Sequence, residues 1–573
     1  MKKIISIVIA LIVVILIYFF YLEFKDKKIH VIKRPYISVA APLEEILPFI
    51  WDNVPPGSTD ELDVLKKTGH PLILTRKAYA LLYYGYQDAS VQKVFFERAK
   101  RILNYLLYEY EPAIRNEQTF LLKYGIPTDK LSPGWWSAMS NFFLPVILND
   151  AAILLNEPDY SKYSKLMFNS ISRLPVNGGS VWRDKSGCWF SEYTWTGMSE
   201  SEEYSVLNGH LFALHALYLY FKQTGDGIQL IDCAVKKTKT IMDNFRAPML
   251  NWSYYMLNPK TINQTHYVIF EKMQFEALNK IAPSSLFQKE AAFRAKILEH
   301  NYPLVYRRYN DKYQILLNKG GSPHPFIIDT YPIKITCSSN DGAKIENNVK
   351  EQLVTPNDTN DTNNRFVVIQ TLFRPESCKV ESVLPNKDPI LYRSYLLYKS
   401  KPIFFSSNEI VKILKYDLSA AYNAKKISEK NILISPSHKS KPSEPDNYVN
   451  NQGRIILKKI NIAELESFIG LELYSKKEVN LGMGLIDNSG EEFFRYYPKL
   501  KGESWNLVLL TPVGFNNVEK AKLPFKAINI YIYTHNLHCD PFVINIGDLW
   551  TANFQQSFAL FHRITSKYNF VVP

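Results

Sequence analysis

Five cysteines in 573 residues form no CxxC pair and no metal-ligand spacing, so no zinc or redox dithiol motif is present. No zinc-finger spacing and no helix of clustered arginines accompanies the net charge of +13, which argues against nucleic acid as a partner. The sequence contains no internal repeat, which excludes a solenoid or propeller. Charged residues at 21% and hydrophobic residues at 46% exclude disorder as the overall description. The chain is too long for a single core, and two to four domains are expected.

Aromatic residues are plentiful, at 14%, with 37 Tyr and 33 Phe. Rings with a polar handle suit β-rich domains or surfaces that stack on sugars. Residues 379–459 hold 15 Lys+Arg against 7 Asp+Glu, a basic field that concentrates polyanions such as an acidic polysaccharide. One long hydrophobic run exists, residues 4–22, with Ser6 as its single polar residue. At roughly 1.5 Å per residue it matches a hydrocarbon core of about 30 Å. "YFFYLEF" has no small-residue cleavage site, so the run reads as an uncleaved transmembrane anchor over residues 1–28. That reading gives a single-pass membrane protein, N-terminus cytoplasmic and bulk exported. In an exported domain Cys337 and Cys378, both in strand-like sequence, could pair. Sequons at Asn251, Asn263, Asn357 and Asn360 would matter only in a eukaryotic secretory pathway.

From about residue 40 to 300 the apolar residues recur at helical spacing, in segments such as "VQKVFFERAKRILNYLLYEYE" and "VLNGHLFALHALYLYFKQTGD". Some segments have a polar side and others are apolar nearly all round, as inner and outer layers of an α/α toroid would be. After residue 300 the period shortens to that of strands, and from 402 a regular strand-and-turn rhythm suggests a jelly roll. The expected fold is therefore a transmembrane helix (1–28), an all-α toroid (29–300), a β-sandwich-like domain (301–401) and a carbohydrate-binding-like jelly roll (402–573).

Four stretches of the helical half, "PGWWSAM" (133–139), "GGSVWRDKSGCWFSEY" (178–193), "VLNGHLFALHALYLY" (206–220) and "NWSYYML" with "HYVIFEKMQFEAL" (251–278), occur in order. Together they resemble the C-terminal catalytic domain of D-glucuronyl C5-epimerases. The resemblance implies that Glu192, Tyr193, Tyr255 and Tyr267 are catalytic, and that no cofactor or metal takes part. Trp135, Trp136 and Trp252 become candidates for sugar stacking, Arg183 for a carboxylate contact, and Asn208 and Gly209 for shaping a helix N-terminus that favours anions. Where the family commonly has histidines after its last tyrosine, this chain has Val268 and Glu271, and Glu271 would repel a uronate.

The chemistry explains the residue types. The C5 proton of a uronic acid is α to a carboxylate, and its removal builds an intermediate with two negative charges. Inversion needs one proton-transfer group on each face of the ring and donors around the carboxylate. A tyrosine, ordinarily near pKa ~10, can be base or acid if nearby positive charge or donors lower it. The expected activity is thus C5 inversion of glucuronate in an acidic polysaccharide, on a chain held also by the β-domains. Three alternatives stand beside it: a uronate lyase, a hydrolase drawing two carboxylates from Glu192, Glu202 and Glu203, and a non-catalytic polysaccharide-binding protein.

Overall fold

The computed structural model describes residues 35–571, except 52–61, 129–130, 303, 310, 319–332, 340–349, 355–365, 384–393, 405–411, 436–451, 466–467, 513–514, 534–539 and 553–568. Among the described residues, the five-residue helix Leu62–Lys66 and nine longer ones organise the first half: α1 (Leu43–Ile50), α2 (Pro71–Gln87), α3 (Gln92–Asn104), α4 (Ala138–Leu154), α5 (Asp159–Ile171), α6 (Leu207–Thr224), α7 (Ile228–Ile241), α8 (Thr265–Ile281) and α9 (Ser285–Asn301). Their ends follow local rules. Pro71 opens α2 behind the cap His70, Ser137 and Ser284 cap α4 and α9, and Gly225, at φ +82°, stops α6.

The helices form two layers. α1 packs on α2, α2 on α4, α4 on α6, α6 on α8, and α8 returns to α1, closing an inner ring. α3, α5, α7 and α9 each lie outside the helix they follow. Burial matches this division. In α6 every residue from Leu207 to Leu217 is buried, whereas α7 buries only Leu230, Ile231, Ala234 and Thr238. A helix enclosed on all sides has no use for a polar face.

Among the described residues no helix is long and apolar enough to cross a membrane. The expected fold class with its transmembrane helix, and the single-pass membrane localisation, are corrected accordingly; residues 4–22, on which they rested, lie outside the described residues. Within the described chain the most apolar helices, α4 and α6, are apolar because the ring encloses them.

Three short β elements interrupt the helices. They are the pairs Ile114–Asn116 with Thr119–Leu121, β1 (Val181–Asp184) with β2 (Gly187–Phe190), and β3 (Trp252–Leu257) with β4 (Lys260–Ile262). The periodicity of the sequence did not reveal them, because three to six residues are too few to register a pattern of two. A disulfide also unanticipated joins Cys188 of β2 to Cys233 of α7.

After α9, Lys312–Asn318 pairs with Leu304–Tyr309 and Phe366–Thr371, and Ile403–Phe404 joins the sheet edge in parallel. A second four-stranded sheet runs Lys350–Val354, Ile333–Ser338, Ser377–Val383, Ser394–Ser400, with Cys337 opposite Cys378 and disulfide-bonded to it. Strand Ser394–Ser400 docks on the helices: the Tyr398 hydroxyl donates to the Tyr302 carbonyl (2.5 Å), and Lys272 Nζ of α8 donates to the Leu396 carbonyl (2.8 Å). The remaining strands form two antiparallel-dominated sheets. The five-stranded one buries Ile455, Leu457, Met483, Leu485, Ile528 and Ile530, and the other buries Ile469, Leu471, Leu473, Ile544 and Ile546.

Candidate functional site

The loops entering the inner helices meet at one end of the ring. A cavity of about 360 Å³ opens there, lined by Trp51 after α1, His70 and Arg76 at the start of α2, Ser137 and Met139 at the start of α4, Asn208 and Phe212 of α6, and His266, Tyr267 and Phe270 of α8. The loop residues Tyr124, Trp135, Glu192 and Tyr193 complete it. Four helix N-termini therefore converge on one space. That of α6 carries no side-chain cap, and the N-terminus of a helix favours an anion.

Glu192 is the cavity's carboxylate. It is 9% exposed, and burial pushes its carboxyl up to about 7, against the lowering influence of the Tyr193 and Tyr255 hydroxyls. The Tyr255 hydroxyl donates to its Oε1 at 3.5 Å. Tyr193 is raised above the ordinary phenol range, first by the Glu192 charge and then by burial. Tyr255 is raised by burial and then by the same charge. The expectation that these phenols are lowered is thus reversed: their nearest charge is negative, so they stay protonated at neutral pH.

Rings continue from this cluster around the cavity. Tyr255 lies 4.8 Å from Tyr267, which lies 4.0 Å from His266. In the other direction Tyr193 lies 5.1 Å from Trp135, Trp135 stacks on Tyr124 at 3.8 Å, and Tyr124 meets His70 edge-on at 4.8 Å.

The Glu192 loop is fixed from below. A Cβ at position 209 would lie 2.7 Å from the Glu192 Cβ, so the glycine of the Asn-Gly step is what admits the carboxylate against α6. This answers why an acidic, aromatic loop abuts an apolar helix. Glu203, buried, accepts from Trp182 Nε1 (2.8 Å) and the Ser205 amide (2.9 Å) and is raised by burial. Glu202 is exposed and closes a capping box with Ser199. Neither lines the cavity with Glu192.

Of the residues singled out in the sequence, Trp135, Glu192, Tyr193, Asn208 and Tyr267 line the cavity, and Tyr255 and Gly209 touch Glu192. Trp136 and Trp252 are core residues whose indoles donate to the carbonyls of Gly179 and Asn263. Arg183 is exposed on β1, donating to the Ser172 carbonyl (3.3 Å). Val268 is buried. Glu271 does not line the cavity: it is fully buried, ion-paired with Arg294 of α9 (2.7 Å) and bonded by Asn263 (2.8 Å), so the anticipated repulsion of a uronate does not arise. Sequence reasoning missed His70, Arg76, Tyr124 and His266. His70-Pro71 signalled a helix start, but nothing in the sequence aimed it at this cavity.

A closed ring of helices surrounds a cavity that holds a carboxylate and several phenols, and the family match that follows supports a carbohydrate-epimerase class. Residues 116–296 match the family model described as D-glucuronyl C5-epimerase C-terminus. No curated protein matches the sequence. Among solved structures, it is similar to the cellobiose 2-epimerase of Bacillus thermoamylovorans B4167 (13% identity, 41% of this chain, 61% of that one, TM-score 0.30). It is similar also to a D-mannose isomerase (12%, 41%, 60%, 0.31) and to the unsaturated glucuronyl hydrolase of Bacillus sp. GL1 (12%, 42%, 65%, 0.31). The chain spans less than two thirds of the length of each.

Proposed function

We propose that the protein inverts C5 of glucuronate units within an acidic polysaccharide by direct proton exchange. The observation that carries this reading is a buried carboxylate, Glu192, raised to about 7 and set among three phenols at a cavity ringed by helix N-termini. A base near neutrality is the one best matched to removing a carbon acid's proton at physiological pH. Glu192 takes the C5 proton from one face of the ring. A phenol, either Tyr193, kept protonated by the Glu192 charge, or Tyr267, returns a proton to the other face, and the roles exchange in the reverse direction. The first turn of α6 favours the second negative charge that develops on the substrate carboxylate.

The test is incubation of the protein with a glucuronate-containing polymer in heavy water. Deuterium should accumulate at C5 and iduronate appear, with chain length unchanged. Tyr193→Phe or Tyr267→Phe should lower exchange by ~10²-fold or more, the usual scale for one proton-transfer group, while binding survives. A shortened chain with a 4,5-unsaturated end would assign a lyase, and shortening without C5 label a hydrolase. Tight binding without exchange on any uronate polymer would assign a non-catalytic protein.

A further inference from the structure

Every proton-transfer group named so far lies in the segment matching the family, residues 116–296. One wall of the cavity does not. His70, Leu72, Ile73 and Arg76 belong to the start of α2, supplied by a part of the chain outside that segment. The ring closure of α1 and α2 against α8 and α4 is what brings this wall to Glu192.

The chemistry of the wall is that of a donor. His70 Nδ1 accepts the Ile73 amide (3.4 Å) as the N-cap of α2, so the ring proton resides on Nε2. Burial lowers His70 to about 4, so the imidazole is neutral and keeps that single N–H. Its ring is held edge-on to Tyr124, which is itself stacked on Trp135. Arg76 brings a guanidinium to the same wall, anchored by its Nε to the Phe49 carbonyl (3.3 Å) and by Nη2 to the Trp51 carbonyl. Elsewhere on the lining, Asn208 is 3% exposed and its Oδ1 has no hydrogen-bond partner, an acceptor awaiting a donor. A unit that offers an anionic group to one wall and a hydroxyl to the other satisfies both.

We propose that the α2 wall, with His70 as its donor and Arg76 beside it, is a carboxylate subsite that selects uronate over neutral hexose, while Asn208 accepts from a ring hydroxyl. The inference rests on the proposed function, since it assigns orientation in the same cavity. Held at these two points, the sugar presents the carbon next to its carboxylate to the Glu192–tyrosine cluster. His70 and Arg76 are positioning residues and transfer no proton.

The test is calorimetric binding of the whole chain to a glucuronate-containing oligosaccharide and to the same oligosaccharide with its carboxyls reduced to alcohols. His70→Asn keeps a capping acceptor for α2 and withdraws the donor from the cavity; His70→Phe keeps a ring against Tyr124 and removes the donor. Both variants should lose roughly 10-fold or more in affinity for the uronate ligand, the scale of a hydrogen bond to a charged group, with the reduced ligand unaffected. Asn208→Ala should weaken both ligands alike, because both retain the hydroxyl. Discrimination preserved in both His70 variants, or an equal loss on both ligands, overturns the subsite while leaving C5 exchange by the wild type intact. A wild-type protein that does not discriminate between the ligands overturns the subsite and the uronate reading together.

Discussion

Glu192 is where burial, charge and function meet, and its titration gives two separable expectations. In its proposed role as base it must be deprotonated, so C5 exchange should rise with pH through about 7. Its folded-state value lies above the ordinary 4.5, so the stability it contributes is complete below 4.5 and is lost as pH rises through about 7. Glu192→Gln should abolish exchange and also remove that part of the decline in stability between pH 4.5 and 7. Thermal unfolding across this range checks the second point, and an unchanged slope would deny the carboxyl its raised value. Gly209→Ala forces a methyl group into Glu192, and should cost about 1–3 kcal/mol by overpacking along with most of the activity. An active, equally stable Gly209→Ala protein would show that the carboxylate has room to move.

The elements beneath the cavity are tied laterally. The disulfide Cys188–Cys233 fastens β2, whose chain continues directly into Glu192, to α7, and closes a loop with a sequence separation of 45. Chain entropy alone gives such a link about 4 kcal/mol of stability. Cys233→Ser should therefore lower the denaturant midpoint by a corresponding amount, and loosen a strand whose Phe190 amide bonds His210 Nδ1 (3.0 Å) and whose Trp189 stacks on that imidazole at 3.9 Å. In the adjoining pair, α8 and α9 are joined by Glu271, Arg294 and Glu290 within one buried network. Removing one member leaves charge buried without its partner. Glu271→Ala is expected to cost about 3 kcal/mol, measured by chemical denaturation.

For the whole molecule, the helical ring carries the cavity, and on the proposed function the sheets are the surface left for the rest of a long polymer. Ile403–Phe404 belongs to the sheet of Leu304–Tyr309, whereas Lys412–Ile413 pairs with Phe542–Ala552 of the C-terminal sheets. Deleting residues 412–573 should weaken binding of an acidic polymer in a salt-dependent manner, as loss of basic surface would, and leave turnover of short oligosaccharides largely intact. Equal loss of activity on short and long substrates would make the C-terminal sheets part of the catalytic fold.

The sequence by itself determined what local rules decide. Apolar spacing marked the helices, the loss of a polar face marked α6 as enclosed, and motifs resembling those of the epimerase family brought Glu192, Tyr193 and Asn208-Gly209 forward together; that the glycine admits the carboxylate against α6 is seen only in the fold. Side-chain direction at longer range was not legible. Trp136 and Trp252 turn into the core to satisfy their indoles, Arg183 turns outward, and Glu271 lies one turn beyond Tyr267, where Arg294 of α9 rather than the cavity receives it. The α2 wall was equally hidden. His70 lies more than a hundred residues from Glu192 in the chain, and only closure of the ring makes them neighbours across one cavity. Tertiary structure also set the sign of the tyrosine shifts, since an ionisable group responds to whichever charge packing places beside it, and here that charge is the carboxylate.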